Sequence, residues 1–174
     1  LERAVAALQA QAAPDAAAPA AAAPAAAAPA AAAEATAADR VLWALEGLRA
    51  RAPEGGAVLY TGTVDLPTGG TVQWQYGLAT AAVFAQDWSE RAGALTALGH
   101  AVRLQMLHAV LNGTTTASEL VETLGLGTSG QLYHHLKELT AAGWLVSSKR
   151  GAYEVPAARI VPLLAILVAA GTPG

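Results

Sequence analysis

Three observations in this 174-residue chain predict a mainly α fold with a small β content. Between Leu95 and Leu145, apolar residues recur at helical spacing in three successive stretches, separated by Asn112-Gly113 and by the glycines of 125–127. The segment VSSKRGAYEVP that follows reads as two short strands with Lys149 and Arg150 at the turn. Upstream, a helical stretch and an alternating hairpin follow a tract of almost pure alanine and proline. The order helix, turn, helix, tight turn, helix, two-stranded tip is that of a winged helix-turn-helix, a shape that lays one helix in the major groove of DNA. The expected organisation is a helical tail fragment at 1–11, an Ala/Pro-rich linker at 12–35, a helix, β-hairpin and helix extension at 36–94, and a winged helix-turn-helix with a C-terminal dimerisation helix at 95–170.

The elements follow in chain order. In LERAVAALQAQ, Leu1, Val5 and Leu8 fall near one helical face, too short a run to establish a coiled coil. Pro14, Pro19, Pro24 and Pro29 then recur every five residues among alanines. Each proline removes a donor and clashes with the preceding turn, so the tract is expected to be a disordered, semi-extended arm. DRVLWALEGLRAR predicts an amphipathic helix with Val41, Leu42, Leu45 and Leu48 on one side. A hairpin is predicted over 58–76: Val58, Tyr60, Val64 and Leu66 alternate with polar or small residues, Pro67–Gly70 turns the chain, and Val72, Trp74 and Tyr76 alternate with Gln73 and Gln75. Asp87 and Glu90 have capping-box spacing before a helix running toward Leu98.

A supporting helix is predicted over 101–111, ended by Asn112-Gly113. Thr116 and Glu119 form a second candidate capping box, opening a helix through Leu124 in which Leu120, Val121 and Leu124 face inward. Thr128 and Gln131 form a third, opening the expected recognition helix. On that helix Leu132, Leu136 and Leu139 share one face, with His135 at its edge. The opposite side holds Gly130, His134 and Lys137, flanked by Gln131, Tyr133 and Glu138. Such a face offers donors and acceptors to base edges: Gln131 to adenine, His134 and Lys137 to guanine or phosphate, and Ser129 to a phosphate at the helix start. The expected DNA-contacting set is therefore Thr128, Ser129, Gln131, Tyr133, His134 and Lys137, with Lys149 and Arg150 on the backbone.

Composition bounds these expectations. The net charge of −3 argues against avid nonspecific binding to nucleic acid. From Leu95 onward, however, five cations (Arg103, Lys137, Lys149, Arg150, Arg159) face four carboxylates, so the acidity lies upstream. There is no cysteine, which excludes disulfides and thiolate metal sites. The chain opens on Leu1 rather than Met, as expected of a fragment, and its early alanines lack a secretory pattern. The apolar run Ile160–Ala170 spans 11 residues, short of the roughly 20 that cross a bilayer. A cytoplasmic, nucleoid-associated protein without membrane contact is the expectation.

The strings GH-x-VRL-x-ML, ELVETLGLGTSGQLYHHLKEL and AAGWL with a short wing are similar to ArsR-like winged helix-turn-helix regulators of bacteria, over roughly residues 95–170. Ala101 stands where the family pattern has proline after the histidine of its GH motif. The family senses metals through cysteines on the helix before recognition or through Asp and His on the last helix. Residues 115–125 carry no Cys, and 157–170 no Asp, Glu or His, so those metal sites do not carry over. The resemblance implies a homodimer whose terminal helices pack together. Independently, Ile160, Leu163, Leu164 and Leu167, among apolar neighbours all round the helix, predict burial on more than one side and are the expected dimerisation residues.

Other motifs yield to simpler explanations. Gly125-Leu126-Gly127-Thr128-Ser129-Gly130 matches GxGxxG, but a dinucleotide site needs a strand before it, and SELVETL is helical. His100 and His108 lie two helical turns apart, too far for direct chelation. His135 is expected to be half-buried and hydrogen-bonded. Tyr60, Trp74 and Tyr76 could line a small-molecule pocket between hairpin and winged domain, although an aromatic stripe on a hairpin more often packs as core. No paired carboxylates, GxSxG or triad point to catalysis, and no cofactor or metal is expected. The expected function is double-stranded DNA binding in transcriptional control as a homodimer. The alternatives are a winged module for a protein partner and a sensor of a small-molecule effector.

Overall fold

The computed structural model describes residues 37–125, 129–148 and 151–171. The helical tail fragment at 1–11 and the linker at 12–35 lie outside the described residues, as do Thr128, Lys149 and Arg150. The described part is mixed, rich in helix, with two small two-stranded sheets. In order it contains α1 (Ala37–Arg49), β1 (Ala57–Asp65), β2 (Thr71–Ala79), α2 (Thr80–Phe84), a 3-10 turn (Trp88–Arg91), α3 (Ala92–Leu98), α4 (Ala101–Leu111), α5 (Ala117–Leu124), α6 (Ser129–Ala141), β3 (Val146–Ser147), β4 (Tyr153–Glu154) and α7 (Ala157–Ala170).

The chain divides into two compact units. The first holds the described residues up to Leu59 together with Tyr76–Ala85. In it α1 is stapled at its end by Arg51, whose Nη1 donates to the Gly47 carbonyl at 2.8 Å. The expected apolar face of α1 is covered only in part: Leu48 is half-buried, Leu42 and Leu45 stay exposed, as does Trp43, and the side chain of Val41 lies outside the described residues. The short helix α2 was not anticipated from the sequence pattern; it continues directly from β2.

The second unit comprises Tyr60–Gln75 and the residues from Gln86 onward. The hairpin turn is closed by Leu66 and Gly70, the Leu66 N–H donating to the Gly70 carbonyl at 3.0 Å, and Thr71 Oγ1 donates to Asp65 Oδ1 at 2.6 Å beside it. Along both strands the inward positions alternate as the sequence predicts from Tyr60 to Tyr76. The alternation breaks at the start of β1. Val58, expected inward, is 60% exposed, and Leu59 is half-buried instead. Neighbouring side chains of a strand point to opposite faces, so with Leu59 and Tyr60 both half-buried each face of β1 is partly covered there.

The core of this unit is built by Ala97, Leu98, Met106, Leu107, Leu120, Leu132, Leu136, Leu139, Trp144, Leu145, Ile160 and Leu163, with Val64, Leu66 and Val72 of the hairpin packed against it. Two of its helices end by the same device. After α6, Gly143 adopts a left-handed φ of 72°, its N–H reaches the Thr140 carbonyl, and the Trp144 N–H reaches Leu139. After α4, Gly113, Thr114, Val110 and Ala109 repeat this pattern. These paired bonds satisfy the last carbonyls and reverse the chain, and only glycine takes that φ without strain. β3 and β4 pair antiparallel, Val146 opposite Glu154 and Ser147 opposite Tyr153. The pair is anchored by a bridge between Thr116 and Ala152 and by the Tyr153 N–H donating to Thr115 at 2.8 Å.

Candidate nucleic-acid interface

α6 separates its residues sharply. Leu132, Leu136 and Leu139 are fully buried, while Gly130, Gln131, Tyr133, His134, Lys137 and Glu138 are exposed. Burial of three leucines at helical spacing fixes the rotation of α6, and that rotation turns Gln131, Tyr133, His134 and Lys137 outward together. Ser129 opens the helix, and its side chain lies outside the described residues, as do Thr128, Lys149 and Arg150. Between α6 and the β3–β4 pair runs an open cleft of about 430 Å³, lined by Tyr133, Leu136, Lys137, Thr140, Ala141, Ser147 and Tyr153.

Not every cation of this unit is available to a polyanion. Arg103 is buried on α4, its Nε donating to the Ala97 carbonyl at 2.6 Å and its Nη2 to the Thr96 carbonyl at 2.7 Å. It serves the end of α3, giving the Ala97 carbonyl a donor and the Thr96 carbonyl a second one beside the Gly99 N–H. Arg159 lies with its guanidinium carbon 4.9 Å above the Trp144 ring, and Trp144 Nε1 donates to the Ala94 carbonyl at 2.9 Å. Both arginines count toward the charge balance from Leu95 onward, and neither is in the expected DNA-contacting set. Arg103 finds its partners six and seven residues back, across the turn between α3 and α4, and Arg159 finds its ring on a residue before the β3–β4 pair.

The capping predictions separate in the same way. Thr116 and Glu119 form a complete box: Thr116 Oγ1 accepts from the Glu119 N–H at 3.3 Å, and Glu119 Oε2 accepts from the Thr116 N–H at 3.0 Å. The backbone N–H of Thr116, then its side chain, hold the Glu119 carboxyl below the usual range. Asp87 instead caps a 3-10 turn through the Ser89 N–H at 2.9 Å, so the expected single helix from Asp87 to Leu98 is a 3-10 turn followed by α3. The Ser89 contacts lower the Asp87 carboxyl. Thr128 of the third box lies outside the described residues.

The histidines do more than their spacing suggested. His100 is the N-cap of α4, its Nδ1 accepting from the Val102 N–H at 3.2 Å. His108 Nε2 sits 3.3 Å from Asn112 Nδ2. His135 is half-buried as expected, and its Nδ1 is buried without a hydrogen-bond partner. Among the described residues no three His, Asp or Glu side chains gather as a metal site.

The expected dimerisation set is split. Ile160 and Leu163 are 3% and 1% exposed inside the protomer's own core, so they are taken up before any partner arrives. Leu164 is half-buried against that core, and Leu167 is 41% exposed, followed by the more exposed Val168. Leu167 also edges a second cleft of about 610 Å³ with Leu104, Gln105, His108, Thr123 and Leu124. For the expected effector pocket, Tyr60, Trp74 and Tyr76 are all half-buried, and neither cleft is lined by them. Trp74 Nε1 is buried without a hydrogen-bond partner. Among the described residues no helix is long and apolar enough to cross a membrane. No protein-family model matches the chain, and no curated protein matches it.

Proposed function

We propose that residues 95–170 act as a winged helix-turn-helix that binds double-stranded DNA as a homodimer and controls transcription, in the manner of the ArsR-like regulators the sequence resembles. The observation that carries this reading is the outward set on α6, Gln131, Tyr133, His134 and Lys137, in a chain whose next two strands, β3 and β4, pair antiparallel and have Lys149 and Arg150 between them in sequence. Gln131 and His134 are of the types that read bases, and the three cations are of the type that meets phosphate.

The test is selection of genomic fragments by the purified protein, then binding across salt. With Arg103 and Arg159 occupied internally, Lys137, Lys149 and Arg150 leave about six phosphate contacts per dimer, and the logarithmic salt slope should be about −5. Gln131→Ala or His134→Ala should cost about 1–3 kcal/mol on the selected site and relax preference there. Lys149→Ala with Arg150→Ala should weaken all sequences alike and flatten the slope. No binding at micromolar protein in low salt would favour the second reading, a module for a protein partner. That reading draws on the exposed Glu138 beside Lys137 and on the net charge of −3.

A further inference from the structure

Two imidazoles meet where α4 and α6 approach, and a third, the exposed His134, adjoins them on α6. The ring of His100, at the start of α4, lies 4.7 Å from that of His135 on α6, centroid to centroid, with a tilt of 47°. His135 lies 5.6 Å from His134. The groups that act on His135 are His100 and Arg103 from α4, and His134 and Glu138 from α6. Three of these are cations or become so in acid, and one is an anion. Nδ1 of His135 has no acceptor within reach to receive a proton's hydrogen bond.

We propose that this cluster is an acid-triggered release: protonating His100 and His135 opens the seam between α4 and α6, frees α6 from its fixed rotation, and lowers affinity for DNA. The DNA part rests on the reading of α6 given above. Two separate chemical events act in the same direction. A proton on His100 Nδ1 removes the lone pair that accepts from Val102, turning the cap of α4 into a donor facing a donor. It also places positive charge at the positive end of a helix dipole. A proton on His135 puts an imidazolium in a half-buried place with an unpartnered Nδ1, near Arg103, whose guanidinium is already committed to Thr96 and Ala97. Burial first, then His100, His134 and Arg103, hold the His135 imidazole below the ordinary histidine value, against a smaller opposing pull from Glu138. The unfolded chain therefore takes this proton more readily than the folded one. The stabilisation from neutral His135 is complete above the unfolded value of about 6.5 and is lost as pH falls through the lower folded value.

The direction distinguishes this device from plain charge. Added protons on a DNA-binding face should strengthen binding through counterion release. A seam that opens in acid weakens it. Between about pH 5.5 and 7.5 the histidines are the side chains that ordinarily titrate, so carboxylates contribute little to the signal.

The experiment uses the full chain with two readouts: the urea midpoint without DNA, and affinity for a selected fragment at fixed ionic strength, both from pH 5.5 to 7.5. The variants are His100→Asn, which keeps a capping acceptor without a titrating proton, His135→Leu, and their combination. The urea midpoint of the wild type should fall with acid, and each variant should be flatter. Affinity should fall about fivefold or more in the wild type, an ordinary coupling between sites. Proton NMR of the wild type gives a readout that needs no variant to fold: one imidazole should titrate below the ordinary range. A wild-type midpoint that does not change with pH, or one that changes equally in the double variant, overturns the seam. Affinity that rises with acid overturns the release. Absence of DNA binding at pH 7.5 overturns the reading of α6, while the midpoints still decide the seam.

Discussion

At Thr116 one hydroxyl and one carboxylate close the start of α5, and the same threonine bridges to Ala152, the residue before β4. Thr116→Ala leaves the Glu119 N–H without its acceptor and should cost about 1 kcal/mol, read as a lower urea midpoint with an unchanged slope. The pH dependence has a definite sign. The folded Glu119 carboxyl is held below its ordinary value, so its contribution is present above the unfolded value and is lost as acid carries the pH down through the folded one. Glu119→Gln should remove that acid-limb dependence without touching the neutral limb, which belongs to the histidines. At this scale the sequence is legible where the partners are neighbours. Thr116 and Glu119 are three residues apart, and their spacing alone announces the box. Asp87 and Glu90 share the spacing, yet the chain there forms a 3-10 turn, and Asp87 takes Ser89 instead. His100, Arg103 and Arg159 were not legible, because each is defined by a group that folding brings to it: His135, the carbonyls of Thr96 and Ala97, and the Trp144 ring.

Among elements, the sharpest dependence is that of β1 on α7. A Cβ added at Gly62 would lie 2.8 Å from Cγ1 of Val161, a distance at which one of the two must move. Val161 is buried and β-branched, so it has no flexible end to swing away. Gly62→Ala should therefore destabilise by about 1–3 kcal/mol, as overpacking does. Val161→Ala opens a cavity and costs stability alone. The double variant should recover part of the loss, and the coupling is read from a double-mutant cycle of urea midpoints. Additive losses would mean that β1 does not bear on α7 at this point. Two helices of this unit were legible to the residue. The bounds of α4 follow from its apolar spacing and from Asn112-Gly113, and α5 follows from its box. The docking was not legible, because a glycine in a strand signals close approach without naming what approaches. The same holds for Ile160 and Leu163. A helix apolar on every side must be buried on more than one side, but the pattern does not say which side faces its own protomer.

For the whole molecule, the proposed homodimer is confined to a narrow part of α7. With Ile160, Val161 and Leu163 sealed within the protomer and Leu164 leaning on the same core, the apolar surface offered outward lies in the last turns, at Leu167 and Val168. Substitutions along this helix should then sort by depth. Leu164→Glu places a charge against the core and should lower the folding midpoint whether or not a dimer exists. Leu167→Glu starts from a residue already 41% exposed, so the protomer should tolerate it. Across a dimer interface the same glutamate would be an unpaired buried charge, worth about 3–5 kcal/mol against association. Light scattering at tens of micromolar should give a dimer for the wild type and a monomer for Leu167→Glu, with circular dichroism unchanged. DNA affinity should fall with the dimer, because two half-sites would no longer be engaged by one particle. A wild-type monomer would remove the two-fold arrangement from the proposal. A dimer that survives Leu167→Glu would place the interface elsewhere. The exposed Leu42, Trp43 and Leu45 of α1 are the next apolar surface to probe by the same substitution.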